Sequence, residues 1–268
     1  VYIMFSYGVF WISCFLILFD CSEAMVVTAA AASSSKNVQK AALVFLHGLG
    51  DTPAGWSDLK HQLPKLYPRL SNLVYSFPAA PTVSITINGG AEMPGWFDLY
   101  DWPIAVGSKD DEEGLFRSMQ QIEEEIQKIE TKEGIPRERI VIGGFSQGGA
   151  VALLTAYYNN SNKKPLAGCV ALSAWLTLCG DKNDMSSFVK ENVKNTPLFW
   201  GHGTFDDKVL FEQQMFGVHK LAEVTDNNNI ETADYPIGHS SHPKEMEDFA
   251  KFIDKILFDN ENNDASEL

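Results

Sequence analysis

Residues 139–158 constrain this chain more than any other stretch. Residues 139–144 read RIVIGG, an apolar, β-branched run that ends in glycines. The run passes directly into Gly144-Phe145-Ser146-Gln147-Gly148, and residues 148–158 continue as a small, apolar, helical segment. A G-x-S-x-G pentapeptide occurs by chance, so the flanks carry the weight. A strand running in and a helix running out is the setting of a nucleophile elbow, a tight turn that lifts a serine hydroxyl clear of a sheet. Glycines on either side leave room for such a turn. The plainer reading, a glycine-rich turn with a capping serine, accounts less well for those flanks.

The rest of the chain supplies a sheet for that elbow. Short apolar runs at 41–46, 72–77, 167–173 and 197–200 read as strands. Between them lie helical patterns. Leu115, Met119, Ile122, Ile126 and Ile129 recur every three or four residues, a stripe that faces a core. Glu123, Glu124 and Glu125 form its solvated side. Met246, Phe249, Ile253 and Ile256 mark a last amphipathic helix, opened by Ser241 and Pro243. Fully apolar strands alternating with helices predict an α/β fold with a mostly parallel central sheet and helices on both faces. The domain is expected at 37–258. Residues 1–36 read as an apolar leader and disordered start, and 259–268 as a disordered acidic tail. Residues 2–19 are uncharged, and the first basic residue is Lys36. Signal peptides and membrane anchors carry basic flanks. The expectation is that 1–24 lie outside the working protein, with a signal or anchor as the alternative.

Composition removes several classes of function. The net charge is −14, with no Lys/Arg cluster, which argues against nucleic acid and against a polybasic membrane contact. Of four cysteines, Cys14 and Cys21 fall in the leader, and no C-x-x-C pair exists, so a zinc ribbon and a thioredoxin-type site are excluded. There is no H-E-x-x-H, phosphate loop or dinucleotide fingerprint, and His239 with His242 lacks a third metal ligand. No cofactor and no metal are expected. An asparagine sequon at Asn159 is expected to stay unglycosylated in a cytoplasmic protein.

A nucleophilic serine needs a base and an orienting acid. Among six histidines, His61 and His219 sit in helical patterns among charges and read as surface residues. His47 ends the first strand at an oxyanion-loop position, and His202 ends a late strand. His239 and His242 share a loop before the last helix, where the base of a doubly wound hydrolase arrives. The acid should follow a late strand, and Gly201-His202-Gly203-Thr204-Phe205-Asp206-Asp207 offers Asp206 or Asp207. Oxyanion donors would be the N–H of Gln147 and one N–H from the loop 47–52. Trp96 and Phe97 read equally as walls of an acyl pocket or as core.

Five blocks, LVFLHGLGDTPAGW, MPGWFD, GGFSQGGAVAL, the spacing from His202 to Val209, and GHSSHPKEM, together resemble the acyl-protein thioesterase/lysophospholipase family of α/β-hydrolases, which includes plant carboxylesterases. The likeness runs from Ala41 to Phe258. It implies Ser146 as nucleophile, Asp206 as acid (three residues before Val209), His239 as base, and Leu49 and Gln147 as oxyanion N–H donors. Substrates implied are acylated proteins, lysophospholipids or small esters, with transient access to a membrane surface. A short-chain carboxylesterase or deacetylase, and a non-catalytic receptor on the same fold, are the alternatives. Residues 78–93 would form a lid whose alternating Val83, Ile85 and Ile87 line an acyl chain of medium or greater length.

Overall fold

The computed structural model describes residues 39–158, 163–179, 189, 192–225 and 229–259. The leader, the sequon at Asn159 and all of the acidic tail but Asp259 lie outside the described residues.

Six strands form one parallel sheet: β1 (Ala41–Leu46), β2 (Leu73–Ser76), β5 (Ile140–Phe145), β6 (Gly168–Leu172), β7 (Leu198–Gly203) and β8 (Ile230–Tyr235). Their order is β2-β1-β5-β6-β7-β8, and all five pairings are parallel. β3 (Thr82–Ile85) and β4 (Ala91–Pro94) form a separate antiparallel hairpin. Helices follow as α1 (Pro53–Trp56), α2 (Leu59–Leu66), α3 (Glu112–Glu133), α4 (Gln147–Tyr157), α5 (Glu212–Ala222) and α6 (Pro243–Asp254).

Period-two alternation along each strand sorts side chains to the two faces. In β1, Ala42, Val44 and Leu46 join the core under α3, α4 and α5, while Ala41, Leu43 and Phe45 join the core under α2 and α6. Every residue of β1 is buried, which explains why the strand reads as a continuous apolar run. The α3 stripe Leu115, Ile122, Ile126 and Ile129 is buried as its spacing predicts. Asp111 caps α3 by accepting from the Gly114 N–H, and Gly134 ends it in a left-handed conformation.

Two differences from the sequence reading have local causes. β8 reads IETADY, and most of it is exposed or half-buried at the sheet edge, so it has no apolar run to announce it. The cap of α6 is His242, not Ser241. Its Nδ1 accepts from the Lys244 N–H while Glu245 accepts from the His242 N–H, closing a capping box.

Candidate active site

Strand order decides which loops meet. β1 and β5 are neighbours, so the loop after β1 lies beside the turn after β5 at the carboxyl edge of the sheet. β7 and β8 are neighbours too, which sets the loops carrying Asp206 and His239 side by side.

Ser146 occupies φ 55, ψ −123, a backbone conformation that non-glycine residues rarely adopt. Its N–H donates to the Leu172 carbonyl at 2.9 Å, and its own carbonyl accepts from Ala150 at 3.0 Å. The turn is tight enough that a Cβ at Gly144 would stand 2.4 Å from the Gly148 carbonyl carbon. A Cβ at Gly148 would stand 2.4 Å from the Leu46 carbonyl oxygen. Bare glycines at both places let strand, turn and helix close on each other.

His239 Nε2 lies 2.9 Å from Ser146 Oγ, and His239 Nδ1 lies 2.7 Å from Asp206 Oδ2. A carboxylate accepts only, so Nδ1 carries the proton and Nε2 is left to accept from the serine hydroxyl. Asp206 Oδ1 accepts from the Lys208 and Val209 N–H groups, each at 2.9 Å. Burial pushes the Asp206 carboxyl up, but the hydrogen bond and charge of His239, with the two amides, outweigh it and hold the carboxyl below the ordinary range. Asp207 turns outward, with its side chain 75% exposed beside Lys208. Thus the structure brings Ser146, Asp206 and His239 together and leaves Asp207 and His242 apart from them.

His202 backs the acid. It is fully buried, with Nε2 2.9 Å from the Val209 carbonyl and 3.6 Å from Asp206 Oδ2. Burial holds its imidazole below the usual value against the Val209 and Asp206 oxygens. The His202–Val209–Asp206 arrangement was not legible in the sequence beyond the spacing of His202 from Val209.

Leu49 and Gln147 flank the serine. Among the described residues the Leu49 N–H has no acceptor, and Gln147, the first residue of α4, has an N–H that no helical carbonyl can reach. The Gln147 side chain points away from the cleft. Its Oε1 accepts from the Trp96 N–H at 2.8 Å and its Nε2 donates to the Phe97 carbonyl at 2.5 Å. Trp96 and Phe97 are core residues, at 0% and 1% exposure. Their backbones brace the elbow through Gln147, and neither is among the residues lining the cleft at Ser146. A cleft of 440 Å³ opens over the site, lined among others by Leu49, Trp56, Trp102, Ser146, Lys208 and His239. The Phe145 ring lies 4.7 Å from the His239 ring, tilted by 39°, and the Trp56 ring lies 5.3 Å from Phe145.

The hairpin of β3 and β4 covers most of the stretch expected to form a lid. Val83 and Ile85 share one face, and Ile85 is fully buried. Val83 Cγ2, Ile85 Cδ1 and Leu49 Cδ1 all lie within 3.4 Å of where a Gly95 Cβ would be. Ile87 falls in the 3-10 turn Thr86–Asn88 after β3 and is exposed, so the alternation ends at Ile85. Among the described residues, no three His, Cys, Asp or Glu side chains converge as a metal site.

A parallel sheet with helices on both faces and a strained serine at the strand–helix turn define an α/β-hydrolase. The comparisons with known proteins narrow that class. The phospholipase/carboxylesterase family matches residues 27–257, and the chain belongs to it. Acyl-protein thioesterase 1 of Cryptococcus neoformans is 37% identical over 237 residues, covering 84% of this chain and 95% of that protein. Its namesake from Saccharomyces cerevisiae is 38% identical, covering 80% and 92%. Among solved structures, Arabidopsis thaliana SOBER1 is 33% identical with a TM-score of 0.73, covering 81% of this chain and 99% of that one. Zea mays acyl-protein thioesterase 2 is 28% identical with a TM-score of 0.69, covering 83% and 96%.

Proposed function

We propose that this chain hydrolyses acyl thioesters and carboxylic esters, with Ser146 as nucleophile, His239 as base and Asp206 as the orienting acid. The observation that carries the reading is the relay from Ser146 Oγ to His239 Nε2 at 2.9 Å and from Nδ1 to Asp206 at 2.7 Å, set on a strained turn. Ser146 Oγ attacks the acyl carbonyl as its proton passes to His239 Nε2. The depressed Asp206 carboxyl stays ionised beside the imidazolium. Leu49 and Gln147 N–H groups receive the oxyanion, each donor worth about 10²–10³ in rate. The thiol or alcohol leaves with the proton from His239. Water, deprotonated by the same nitrogen, then releases the acid.

Acylated proteins are the first choice of substrate, since relatives that cover most of this chain carry the name acyl-protein thioesterase. Lysophospholipids and small esters are further candidates, reached by transient contact with a membrane surface. No described helix is long and apolar enough to cross a membrane. The cytoplasm suits two free cysteines, Cys169 and Cys179. Crowding of Val83, Ile85 and Leu49 around Gly95 favours a second reading, a short-chain carboxylesterase or deacetylase acting through the same three residues.

Fluorophosphonate labelling of Ser146 and a series of p-nitrophenyl esters and acyl-cysteine thioesters test both. Labelling and turnover lost in Ser146→Ala support the hydrolase. An unlabelled, inactive wild type rejects it in favour of a binding protein. A steep fall in kcat/KM beyond butyryl selects the short-chain reading, and a rise to octanoyl selects the thioesterase.

A further inference from the structure

An oxyanion hole works only if its N–H groups already point at the place where charge will form. The Gln147 N–H is aimed by α4. Nothing in a helix aims the Leu49 N–H, which sits in a loop between Gly48 and Gly50. Its direction is set by the peptide plane, because across a trans peptide the N–H of Leu49 opposes the Gly48 carbonyl. Whatever holds that carbonyl therefore aims the donor.

His47 holds it. The ring is 1% exposed, and Nδ1 lies 2.8 Å from the Gly48 oxygen. Nε2 lies 3.1 Å from the Ala80 nitrogen, whose N–H only donates. Nε2 must then accept, so the proton is on Nδ1 and is given to the Gly48 carbonyl. The Trp96 indole N–H donates to the His47 carbonyl at 2.8 Å, with its ring 5.4 Å from the imidazole. A Cβ on Gly48 would lie 3.4 Å from Ser146 Cβ, so the peptide so held is beside the nucleophile. Ala80 stands at the base of the β3–β4 hairpin. The other base is tied to the same loop, since the Gly50 N–H donates to the Pro94 carbonyl at 2.7 Å.

We propose that His47 is a positioning residue, whose Nδ1–H turns the Leu49 N–H into the cleft and whose Nε2 ties that peptide to the base of the β3–β4 hairpin. The role rests on the hydrolase reading above, and two kinds of measurement keep the two separate. The first needs no turnover. Nitrogen-15 NMR of the full chain reads the His47 tautomer, which is Nδ1–H if the ring donates to Gly48; an Nε2–H tautomer overturns the proposal whether or not the protein is an esterase.

The second is a set of variants on p-nitrophenyl ester. His47→Leu removes both bonds and should lower kcat about 10²–10³-fold with little change in KM, the signature of a lost oxyanion donor. Asn places an amide N–H near the Nδ1 position and Gln near Nε2. His47→Asn is therefore expected to recover most of kcat, and His47→Gln is not. Affinity for a trifluoromethyl ketone, which forms a tetrahedral adduct on serine, should fall with kcat. The pH profile should keep its shape, because His239 is untouched. Equal losses in the Asn and Gln variants, or full kcat in His47→Leu, overturn the proposal; the Asn–Gln pair decides the matter even if His47→Leu fails to fold. A wild type that is inactive yet has the Nδ1–H tautomer removes the hydrolase reading and leaves the His47 arrangement standing.

Discussion

Replacing Asp206 by Asn tests the relay at its least forgiving point. The two amides of Lys208 and Val209 both donate, each at 2.9 Å, to one oxygen of Asp206. In the variant they hold the amide oxygen at that position, which forces the NH₂ group toward His239. A donor now faces Nδ1, so His239 must carry its proton on Nε2. Nε2 can then no longer accept from Ser146 Oγ. The wrong tautomer is imposed by backbone geometry, and relaxing it requires breaking both hydrogen bonds from the Lys208 and Val209 N–H groups. The expected loss in kcat is about 10⁴-fold, or about 5 kcal/mol of transition-state stabilisation. Residual turnover should survive, since Leu49 and Gln147 are untouched. Asp207→Asn removes only an exposed partner of Lys208 and should change kcat less than about threefold. The assay is p-nitrophenyl ester hydrolysis, with circular dichroism to show the fold retained. A larger loss in Asp207→Asn, or less than a tenfold loss in Asp206→Asn, would refute this account of the acid.

Other perturbations probe the elbow, the helix that follows the base, and the hairpin. Gly148→Ala drives a methyl to 2.4 Å from the Leu46 carbonyl oxygen, so a cost of about 1–3 kcal/mol in stability and a loss of turnover are expected by thermal melt and ester assay. Burial pushes the Glu245 carboxyl up to about 7 against the opposing hydrogen bond from the His242 N–H. The folded form therefore binds a proton that the unfolded chain has released, and wild-type stability falls as pH rises from about 4.5 through about 7. Glu245→Gln keeps an oxygen for His242 and carries no such deficit. Its Tm should match wild type near pH 4.5 and exceed it above pH 7, by up to about 3 kcal/mol in stability; a gap that closes as pH rises would contradict the sign. Val83→Ala should raise kcat/KM for octanoyl relative to butyryl ester roughly fourfold per newly buried methylene, and an unchanged ratio would show that Val83 does not bound the acyl path.

The parts of the fold that were legible in the sequence are those whose physics is local. The strand-to-helix run through Ser146 announces its own turn, because the closure leaves no room for a Cβ at Gly144 or Gly148. The α3 stripe announces its buried face by spacing. The residues Asp206 and Asp207 were not separable by such signals, and only the family likeness favoured Asp206. The structure shows the physical difference, that two successive amides wrap the first and, among the described residues, none the second. Trp96 and Phe97 were equally undecided, since an aromatic after a Met-Pro turn looks the same whether it lines a pocket or backs an elbow. Burial places both side chains in the core, and the Gln147 side chain ties their backbones to the elbow across about fifty residues of sequence, a contact that no pattern encodes.

The hairpin was legible only in part, for a related reason. Alternation of Val83, Ile85 and Ile87 says which side chains share a face, but not what that face meets. What it meets is the core beside Leu49, the residue whose N–H would be offered to the oxyanion on the proposed reading. Its base is bonded to His47 and Gly50 on either side of that N–H. On the proposed reading one element would border the path of an acyl chain and also support a group that stabilises the transition state. A side chain that widened the path by shifting the hairpin would loosen the donor as well, whereas trimming a methyl in place would not. Substrate range in such a site is freer to change by shortening Val83 or Ile85 than by moving the backbone that carries them.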